Sequence, residues 1–274
     1  MKQQTVHTIG RLAVTIPTGT VGIACDQITA LSIAASSGVE RVYADGRPAW
    51  VARAPWQPLL ASQLSGLEVA VEAWAAHLVI VALPDTLLQR GRNELIEALV
   101  QTSGQGDEEL AALIGEFRKA FRQALADKGF SLDESGPADL IVNKPGVRST
   151  AYDYDHDRVI GLHIDNHQKM PLNERRRSYT LANLNIGWND RFLDFIPHSV
   201  SSLLSLTGEG SDTAKLPRDI KDAFFTSLVD TPVIRVVIPP GTAYLLNTQN
   251  CIHDGATPPG EMPDVAFLMM GYPQ

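Results

Sequence analysis

The sequence predicts an α+β fold, in which helices buttress a double-stranded β-helix, or jelly-roll, core. Two observations predict it. Residues 84–101 and 106–129 carry apolar side chains at helical intervals, whereas the chain after residue 137 consists of short strand-like runs separated by Pro, Gly, Asn and Asp. Many short strands with turn signals between them are typical of sandwiches and barrels. We therefore expect one integrated domain, with supporting strands and helices in residues 1–136 and the core in residues 137–274.

Both predicted helices carry recognisable start or stop signals. The first begins with Pro84 and Asp85, and the second opens with acidic residues and closes with Lys128 and Gly129. Their apolar positions fall near one face of each helix: Leu87, Leu88, Leu95, Ile96 and Leu99 in the first, and Leu110, Leu113, Ile114, Phe117, Phe121 and Leu125 in the second. We expect these faces to pack against the core.

The remaining segments are predicted with less uniform signals. Residues 10–19 resemble a strand and turn, and residues 55–84 fit a buried helix followed by the strand "HLVIVAL". In the core, the strand-like runs are "ADLIVNKPG", "RVIGLHID", "SYTLANLNIG", "DRFLDFIP", "TPVIRVVIPPG", "TAYLLNT" and "DVAFLMMGY". Residues 203–226 interrupt these strands, and we expect a surface insertion there that could cover the core as a lid.

Composition narrows the class of partner. The chain has 274 residues, 44% of them hydrophobic, and a net charge of −8 without a run of basic residues, which disfavours a nucleic-acid partner and favours a small molecule. Two distant cysteines, Cys25 and Cys251, do not make a disulfide framework. The first residues lack the features of a signal peptide, and no apolar run is long enough for a membrane span. We expect a cytoplasmic protein that does not bind membranes; the oligomeric state is not predicted.

A metal site is predicted from three residues. His163 and Asp165 are two positions apart, so on a strand both would point to one face, and His253 follows another strand near the end of the chain. Two imidazoles and one carboxylate leave open positions on an octahedral ion, which is the non-haem Fe(II) arrangement. Because His-x-Asp is common by chance, its position after a strand matters. His167 is a competing ligand in a compact "HIDNH" site.

This pattern, His-x-Asp followed much later by His, resembles the cupin-like Fe(II)- and 2-oxoglutarate-dependent oxygenase superfamily. The resemblance covers about residues 137–274 and concerns motif and layout. It implies Fe(II) held by His163, Asp165 and His253, dioxygen as cosubstrate, and 2-oxoglutarate as a second cosubstrate. No catalytic residue beyond the metal ligands is implied.

The sequence departs from the family pattern where an arginine typically grips the 2-oxoglutarate carboxylate. Asp264 stands there, and an aspartate would repel a dicarboxylate. Another strand could supply the arginine, and Arg177 with Tyr179 is the predicted anchor. Strand alternation places Asn183 and Asn185 on the same, unusually polar face. We expect Asn183, Asn185, Asp264 and Thr248 to line the substrate site.

Three functions follow from these residues. The first is an Fe(II)-dependent oxygenase that hydroxylates, desaturates or cyclises a polar small metabolite with 2-oxoglutarate. The second is an iron oxidase or dioxygenase that takes its electrons from the substrate, as isopenicillin-synthase-like members do. The third is a cupin-type metal-dependent isomerase or small-ligand binding protein that uses the same ligands with Zn(II) or Mn(II).

Overall fold

Two β-sheets packed face to face form the centre of the molecule. The computed structural model describes residues 21–25, 28–44, 47–101, 108–208 and 216–274. Its strands are β1 (Ile23–Ala24), β2 (Ile33–Ala35), β3 (Val39–Ala44), β4 (Arg47–Ala52), β5 (Gln57–Pro58), β6 (Leu78–Ala82), β7 (Ala138–Asn143), β8 (Tyr152–Asp153), β9 (Arg158–Val159), β10 (Thr180–Asn185), β11 (Arg191–Ser199), β12 (Ile234–Ile238), β13 (Thr242–Leu246), β14 (Cys251–Ala256) and β15 (Asp264–Gly271).

The strand order mixes early and late segments of the chain. One sheet has six strands in the order β1-β6-β13-β10-β15-β7, and the other has five in the order β14-β11-β12-β2-β5. Hairpins β3–β4 and β8–β9 lie outside these sheets. Apart from the parallel pair of β1 and β6, the strand pairs are antiparallel. The first 82 residues therefore contribute strands to both sheets of the core.

Helices cover the outer face of the six-stranded sheet and one side of the five-stranded sheet. They are α1 (Ala61–Leu64), α2 (Asp85–Arg90), α3 (Glu97–Gln101), α4 (Glu108–Ala126), α5 (Val200–Leu206) and α6 (Pro217–Ser227). A π-helical segment, Gly91–Ile96, joins α2 directly to α3. Short 3-10 helices occupy Ile28–Ala30, Val71–Ala76 and Arg175–Arg177.

Strand β10 illustrates how alternation separates the two main cores. Ala182 and Leu184 join the cluster under the helices, whereas Leu181 belongs to the cluster between the sheets. Under the helices, Phe117 and Phe121 of α4 pack edge-on against Phe267, with ring centroids 4.8 and 5.9 Å apart. Such aromatic pairs add about 0.5–1.5 kcal/mol to area burial. The space between the sheets is the interior in which the site lies.

The α+β fold class is confirmed. The two predicted helices occur at 85–101 and 108–126, the second with Phe117, Phe121 and Leu125 buried as the spacing predicted. The predicted strand at 10–19 lies outside the described residues. No helix in the described ranges is long and apolar enough to cross a bilayer. The division of the chain at residue 136 stays a prediction.

The predicted lid falls on a segment that is described only in part. Residues 209–215 lie outside the described residues, and their flanks are α5 and α6. Both helices are packed: Leu203, Phe224 and Phe225 are fully buried in a third apolar cluster on the far side of the five-stranded sheet. These flanks therefore form part of the core, and a covering role for the segment between them stays a prediction.

Candidate metal centre

His163, Asp165 and His253 converge on one point. One ligand atom of each residue lies within 4.8 Å of the others. Nε2 of His163 is 3.3 Å from Oδ1 of Asp165, and Nε2 of His253 is 3.8 Å from Oδ2 of the same carboxylate. The two imidazole centroids are 4.5 Å apart. An ion placed among these atoms would have two nitrogen ligands and one oxygen ligand.

Backbone hydrogen bonds bring the three residues together. His163 and His253 form an isolated antiparallel bridge, with N–H···O distances of 3.0 and 2.9 Å in the two directions. The amide of Asp165 donates to the carbonyl of Thr248 at 3.1 Å. His163 thus lies beyond β9 rather than within a regular strand, and His253 lies inside β14 rather than at a strand end. The bridge, more than strand alternation, sets the separation of the ligands.

Hydrogen bonds of the Nδ1 atoms of His163 and His253 favour the tautomer in which Nε2 is free to bind a metal. Nδ1 of His163 lies 2.8 Å from the carbonyl oxygen of Gly161, and Nδ1 of His253 lies 3.4 Å from that of Cys251. A carbonyl oxygen only accepts hydrogen bonds, so in a neutral ring each Nδ1 carries the proton and Nε2 keeps its lone pair. Both Nε2 atoms belong to the convergent group, which is how histidine ligands are normally oriented.

Charges within the cluster shift the pKa values in different directions. Burial lowers the pKa of His253 to about 4, so this ring is neutral near pH 7. Burial also lowers the pKa of His163, but the hydrogen bond and charge of Asp165 outweigh it and leave the pKa raised. For Asp165, burial opposes ionisation, yet hydrogen bonds from His163 and His167 hold the pKa well below its usual range. The carboxylate is therefore ionised and ready to bind a cation.

The competing ligand, His167, contacts the same carboxylate from the solvent side. Its Nε2 lies 3.2 Å from Oδ2 of Asp165, and its side chain is 52% exposed. The convergent group of three ligand atoms does not include it. We assign His167 to a hydrogen bond with Asp165 and not to the metal.

A buried arginine supports the backbone of Asp165. Nη1 of Arg175 donates to the carbonyls of Asp165 at 2.7 Å and of Gln249 at 3.2 Å, and Nη2 donates to Oδ1 of Asn166. Arg175 is 2% exposed, which makes it the largest fully buried side chain in the described residues. Its neighbour Arg177, the predicted carboxylate anchor, is exposed. The 3-10 turn directs the first arginine inward and leaves the third in solvent.

The interior holds a different arginine, Arg191, at the start of β11. Its side chain is 4% exposed, Nη1 donates to Oδ1 of Asn183 at 2.7 Å, and Nη2 lies 3.6 Å from Oδ2 of Asp264. Asp264 also accepts a hydrogen bond from Asn143 at 2.8 Å. Nε of Arg191 and Oδ1 of Asp264 are buried without a hydrogen-bond partner among the described residues. A buried donor and a buried acceptor left unpaired indicate a missing ligand or water.

Tyr244 is close enough to Arg191 and to Asp165 for the charge of both to act on it. It is buried on β13, opposite Asn183 of β10. Burial raises the pKa of its hydroxyl to about 12; the charge of Arg191 lowers it, and those of Asp264 and Asp165 raise it further. The phenol therefore lies within electrostatic range of both the guanidinium and the metal carboxylate, and it keeps its proton near pH 7.

The other predicted site residues have structural partners. Nδ2 of Asn185 donates to the carbonyls of Ile238 and Asn189, and Oδ1 accepts from the amide of Gly187, so this side chain holds a turn and has little left for a substrate. Thr248 is buried and supports Asp165 through its carbonyl. The contacts of Asn185 differ from the substrate-binding role predicted for it, whereas the role predicted for the Thr248 side chain stays a prediction.

Tyr179, the second predicted anchor, is half-buried outside the Arg191 cluster. Its hydroxyl donates to the carbonyl of Ser135 at 3.3 Å, and its ring lies 4.6 Å from that of Tyr272. Asn183 lies on the interior face, as alternation predicted, and Asp264 lies beside it near Arg191. The structure thus brings two of the predicted lining residues together around an arginine that sequence analysis did not single out.

A sequence signal for Arg191 exists. In "DRFLDFIP", alternation puts Arg191 on the same face as Leu193 and Phe195, and both of these pack between the sheets. A charged residue in phase with buried apolar residues must be buried with a partner. The triple arginine at 175–177 is the more conspicuous feature of the sequence, but two of its members are exposed.

Comparisons with known proteins give distant structural neighbours. No protein-family model matches the chain, and no curated protein matches it significantly. Among solved structures, HygX from Streptomyces hygroscopicus, with nickel and 2-oxoglutarate bound, is 16% identical, with 79% of this chain and 88% of that chain covered and a TM-score of 0.38. The Kdo hydroxylase KdoO, a non-heme Fe(II) alphaketoglutarate dependent dioxygenase in complex with succinate and Fe(III), is 12% identical, with coverage of 73% and 81% and a TM-score of 0.40.

A third solved structure is an N-substituted L-amino acid dioxygenase from Burkholderia ambifaria AMMD. It is 12% identical, with 88% of this chain and 93% of that chain covered and a TM-score of 0.32. All three identities are at or below 16% and all three TM-scores are at or below 0.40, so these likenesses are distant.

Proposed function

We propose that this protein is an Fe(II)-dependent oxygenase that uses dioxygen and 2-oxoglutarate to oxidise a small molecule. The observation that carries the proposal is the convergence of His163, Asp165 and His253 on one point, with both histidine Nδ1 atoms facing carbonyl oxygens. Two neutral imidazoles and one carboxylate are the donor set typical of non-haem Fe(II), and they leave coordination positions for other ligands. The donor set therefore fits the ion.

The surroundings also fit a 2-oxoacid cosubstrate. Arg191 is a buried guanidinium in the same interior, and its Nε is a buried donor with no hydrogen-bond partner among the described residues. Guanidinium groups bind carboxylates more strongly than neutral donors do, because the hydrogen bonds are charge-assisted. Asn183 fixes the position of Nη1. The arginine that the family pattern places at position 264 is thus supplied from β11, directly beside Asp264.

Each residue has a defined task in this proposal. When bound, Fe(II) activates dioxygen with electrons that the 2-oxoacid provides as it loses carbon dioxide. His163, Asp165 and His253 hold the ion, and Arg191 binds the far carboxylate of the cosubstrate. Tyr244, protonated near pH 7 because burial raises its pKa to about 12, can donate a hydrogen bond to the same ligand. Apolar side chains between the sheets exclude water; they include Leu181, Leu193, Phe195 and Leu246.

A second candidate function is favoured by Asp264. Its carboxylate offsets part of the charge of Arg191, and its unpaired Oδ1 could bind an ammonium group. An arginine beside an aspartate suits a zwitterion, with the carboxylate on Arg191 and the ammonium on Asp264. In that case the substrate itself would occupy the interior and supply the electrons, and 2-oxoglutarate would not be used.

Anaerobic titration separates the two functions. Protein reconstituted with Fe(II) is titrated with 2-oxoglutarate, and the visible charge-transfer band of an iron-chelated 2-oxoacid is recorded. We expect a saturable band. In an Arg191→Met/Asp264→Asn double variant, which leaves no buried carboxylate unpaired, half-saturation should need roughly 10- to 100-fold more 2-oxoglutarate, as expected for one charge-assisted contact.

Arg177→Met is the matched control, because Arg177 is exposed. Its titration should superimpose on that of the wild type. Iron bound without any band in the wild type would reject the 2-oxoglutarate proposal and favour the oxidase. An unchanged titration in the double variant would reject Arg191 as the anchor.

A further inference from the structure

A pocket of about 480 Å³ lies at the end of β7. Its walls come from the last residues of β7, from the loop that follows, and from the β8–β9 hairpin; they include Asn143, Lys144, Thr150, Tyr152 and Tyr154. Pockets for small molecules usually occupy about 300–1,000 Å³. The hairpin leads directly into the segment that carries His163.

Two of the wall residues also contact the interior. The amide of Thr150 donates to the carbonyl of Gly255 at 2.7 Å. Gly255 follows His253 by two positions on the same face of β14, which is roughly 7 Å along a strand. A Cβ atom on Gly255 would clash with Oγ1 of Thr150, so the two residues lie in close contact as the chain stands. Asn143 donates to the interior carboxylate of Asp264 at 2.8 Å.

The wall is aromatic on one side. The rings of Tyr152 and Tyr154 meet edge-on with centroids 5.1 Å apart, and the hydroxyl of Tyr152 donates to Asp157 at 2.5 Å. Tyr154 is 82% exposed, although an aromatic ring normally buries most of its surface. A ring held by its neighbour and open to a pocket is suited to stacking against a second ring.

The other side of the wall carries a cation. Lys144 is exposed, and within the described ranges no carboxylate forms a salt bridge with it. Asp157, the acidic residue of the pocket, is bound to the Tyr152 hydroxyl. Lys144 is therefore the cation that the pocket offers to an anionic group; Asp157 keeps its charge beside Tyr152, and the pocket surface is otherwise largely apolar.

We propose that this pocket binds the substrate, and that the substrate carries an aromatic ring and a carboxylate. The ring would stack on Tyr154, the carboxylate would pair with Lys144, and the rest of the molecule would extend past Thr150 towards the metal ligands. This assignment rests on the proposed function and narrows the expected polar metabolite to an aromatic acid.

Calorimetric titration of the anaerobic protein, loaded with Fe(II) and saturated with 2-oxoglutarate, tests the assignment. The cosubstrate fills the interior carboxylate site, so a second acid must bind elsewhere. The probes are 3-phenylpropanoate, the neutral 3-phenylpropan-1-ol and the ring-free pentanoate. We expect 3-phenylpropanoate to bind more tightly than either of the others, because only it has both groups.

Variants assign the two contacts. Tyr154→Ala should weaken 3-phenylpropanoate binding by roughly 3- to 10-fold, the range of one aromatic contact. Lys144→Met should weaken it by roughly 2- to 5-fold, as for an exposed ion pair, and should leave 3-phenylpropan-1-ol unaffected. Lys128→Met, an exposed lysine beyond the end of α4, is the matched control and should bind all three probes as the wild type does.

The charge-transfer band of the same samples separates the two proposals. If the band forms and 3-phenylpropanoate binds no better than its two analogues, or binds equally to Tyr154→Ala and Lys144→Met, the pocket assignment is overturned and the oxygenase proposal stands. If the band is missing, the oxygenase proposal fails, and the substrate role of the pocket fails with it.

Discussion

Replacing Arg175 with methionine should weaken both the fold and the metal site. The guanidinium is the support of the loop that carries Asp165: it donates to the carbonyls of Asp165 and Gln249 and to the amide oxygen of Asn166. Methionine has a similar length and no donors. The substitution would leave three acceptors without this partner: the contact with the Gln249 carbonyl is buried, and the contacts with Asp165 and Asn166 are partly buried.

The magnitude follows from these contacts. A buried acceptor that loses its partner costs about 1–3 kcal/mol, which applies in full to the Gln249 carbonyl and in part to the two acceptors that water can reach, so the three losses together cost at most roughly 3–6 kcal/mol. Two effects reduce it: the wild type bears the desolvation of a buried guanidinium, whose pKa burial lowers, and methionine packs well in apolar surroundings. We therefore expect a loss of about 2–4 kcal/mol in the free energy of unfolding. Residues that orient metal ligands typically contribute about 10- to 100-fold in metal affinity, and we expect that loss for Fe(II).

Urea unfolding of the metal-free protein measures the first effect, and anaerobic competition with a chelator for Fe(II) measures the second. The chain provides its own controls, because Arg176 and Arg177 are exposed on the same short turn. Arg176→Met and Arg177→Met should change stability by less than about 0.5 kcal/mol, as surface substitutions usually do. If Arg175→Met behaves like Arg177→Met in both measurements, the supporting role is refuted.

Three further predictions concern the metal ligands, the interior and the core. Fe(II) affinity should fall when the pH drops below the raised pKa of His163, because one proton must leave that ring before it can bind the metal. The expected loss is about tenfold per pH unit. His253 binds no proton above pH 5, because burial lowers its pKa to about 4. Affinity measured from pH 8 to 5 checks this, and a flat profile would contradict it. Asn185→Ala should lower the free energy of unfolding by about 1–3 kcal/mol, because the buried carbonyl of Ile238 and the half-buried carbonyl of Asn189 lose the hydrogen bonds that Nδ2 donates. The Gly187 amide keeps its second acceptor, the carbonyl of Val265, and half-saturation by 2-oxoglutarate stays that of the wild type. Phe117→Ala should lower the free energy of unfolding, measured with urea, by about 3–5 kcal/mol. Fe(II) affinity should stay unchanged, because the Phe117 ring packs on the face of the sheet away from the metal ligands. A loss of iron in the folded variant would argue against that separation.

Much of the fold could be predicted because hydrophobic periodicity records it directly. The spacing of Phe117, Phe121 and Leu125 marked the buried face of α4, and the alternation in β10 placed Asn183 on the interior face. Hydrophobic periodicity within a segment does not show which distant segments pair as strands. The insertion of β2 and β6 into the two core sheets depends on contacts across 150 residues or more, which no local pattern encodes.

Only part of the site could be predicted, because local patterns identify residue types but not every side-chain direction. The residue types and spacing of His163, Asp165 and His253 indicate a metal site, and the fold brings the three side chains together. Which arginine faces the interior depends on the direction of each side chain at the end of a strand or turn. Arg175 is buried by a 3-10 turn, and Arg191 is buried through its phase with Leu193; only the second could have been derived from alternation.

The most direct test of the metal centre is the iron content of three proteins prepared by anaerobic dialysis against Fe(II). The structure predicts one Fe(II) per chain in the wild type, the same content in His167→Ala, and iron lost from His253→Ala, because His253 belongs to the convergent ligands and His167 only contacts Asp165. Iron retained by His253→Ala, or lost from a folded His167→Ala, would contradict the assignment and point to the compact site formed by His163, Asp165 and His167.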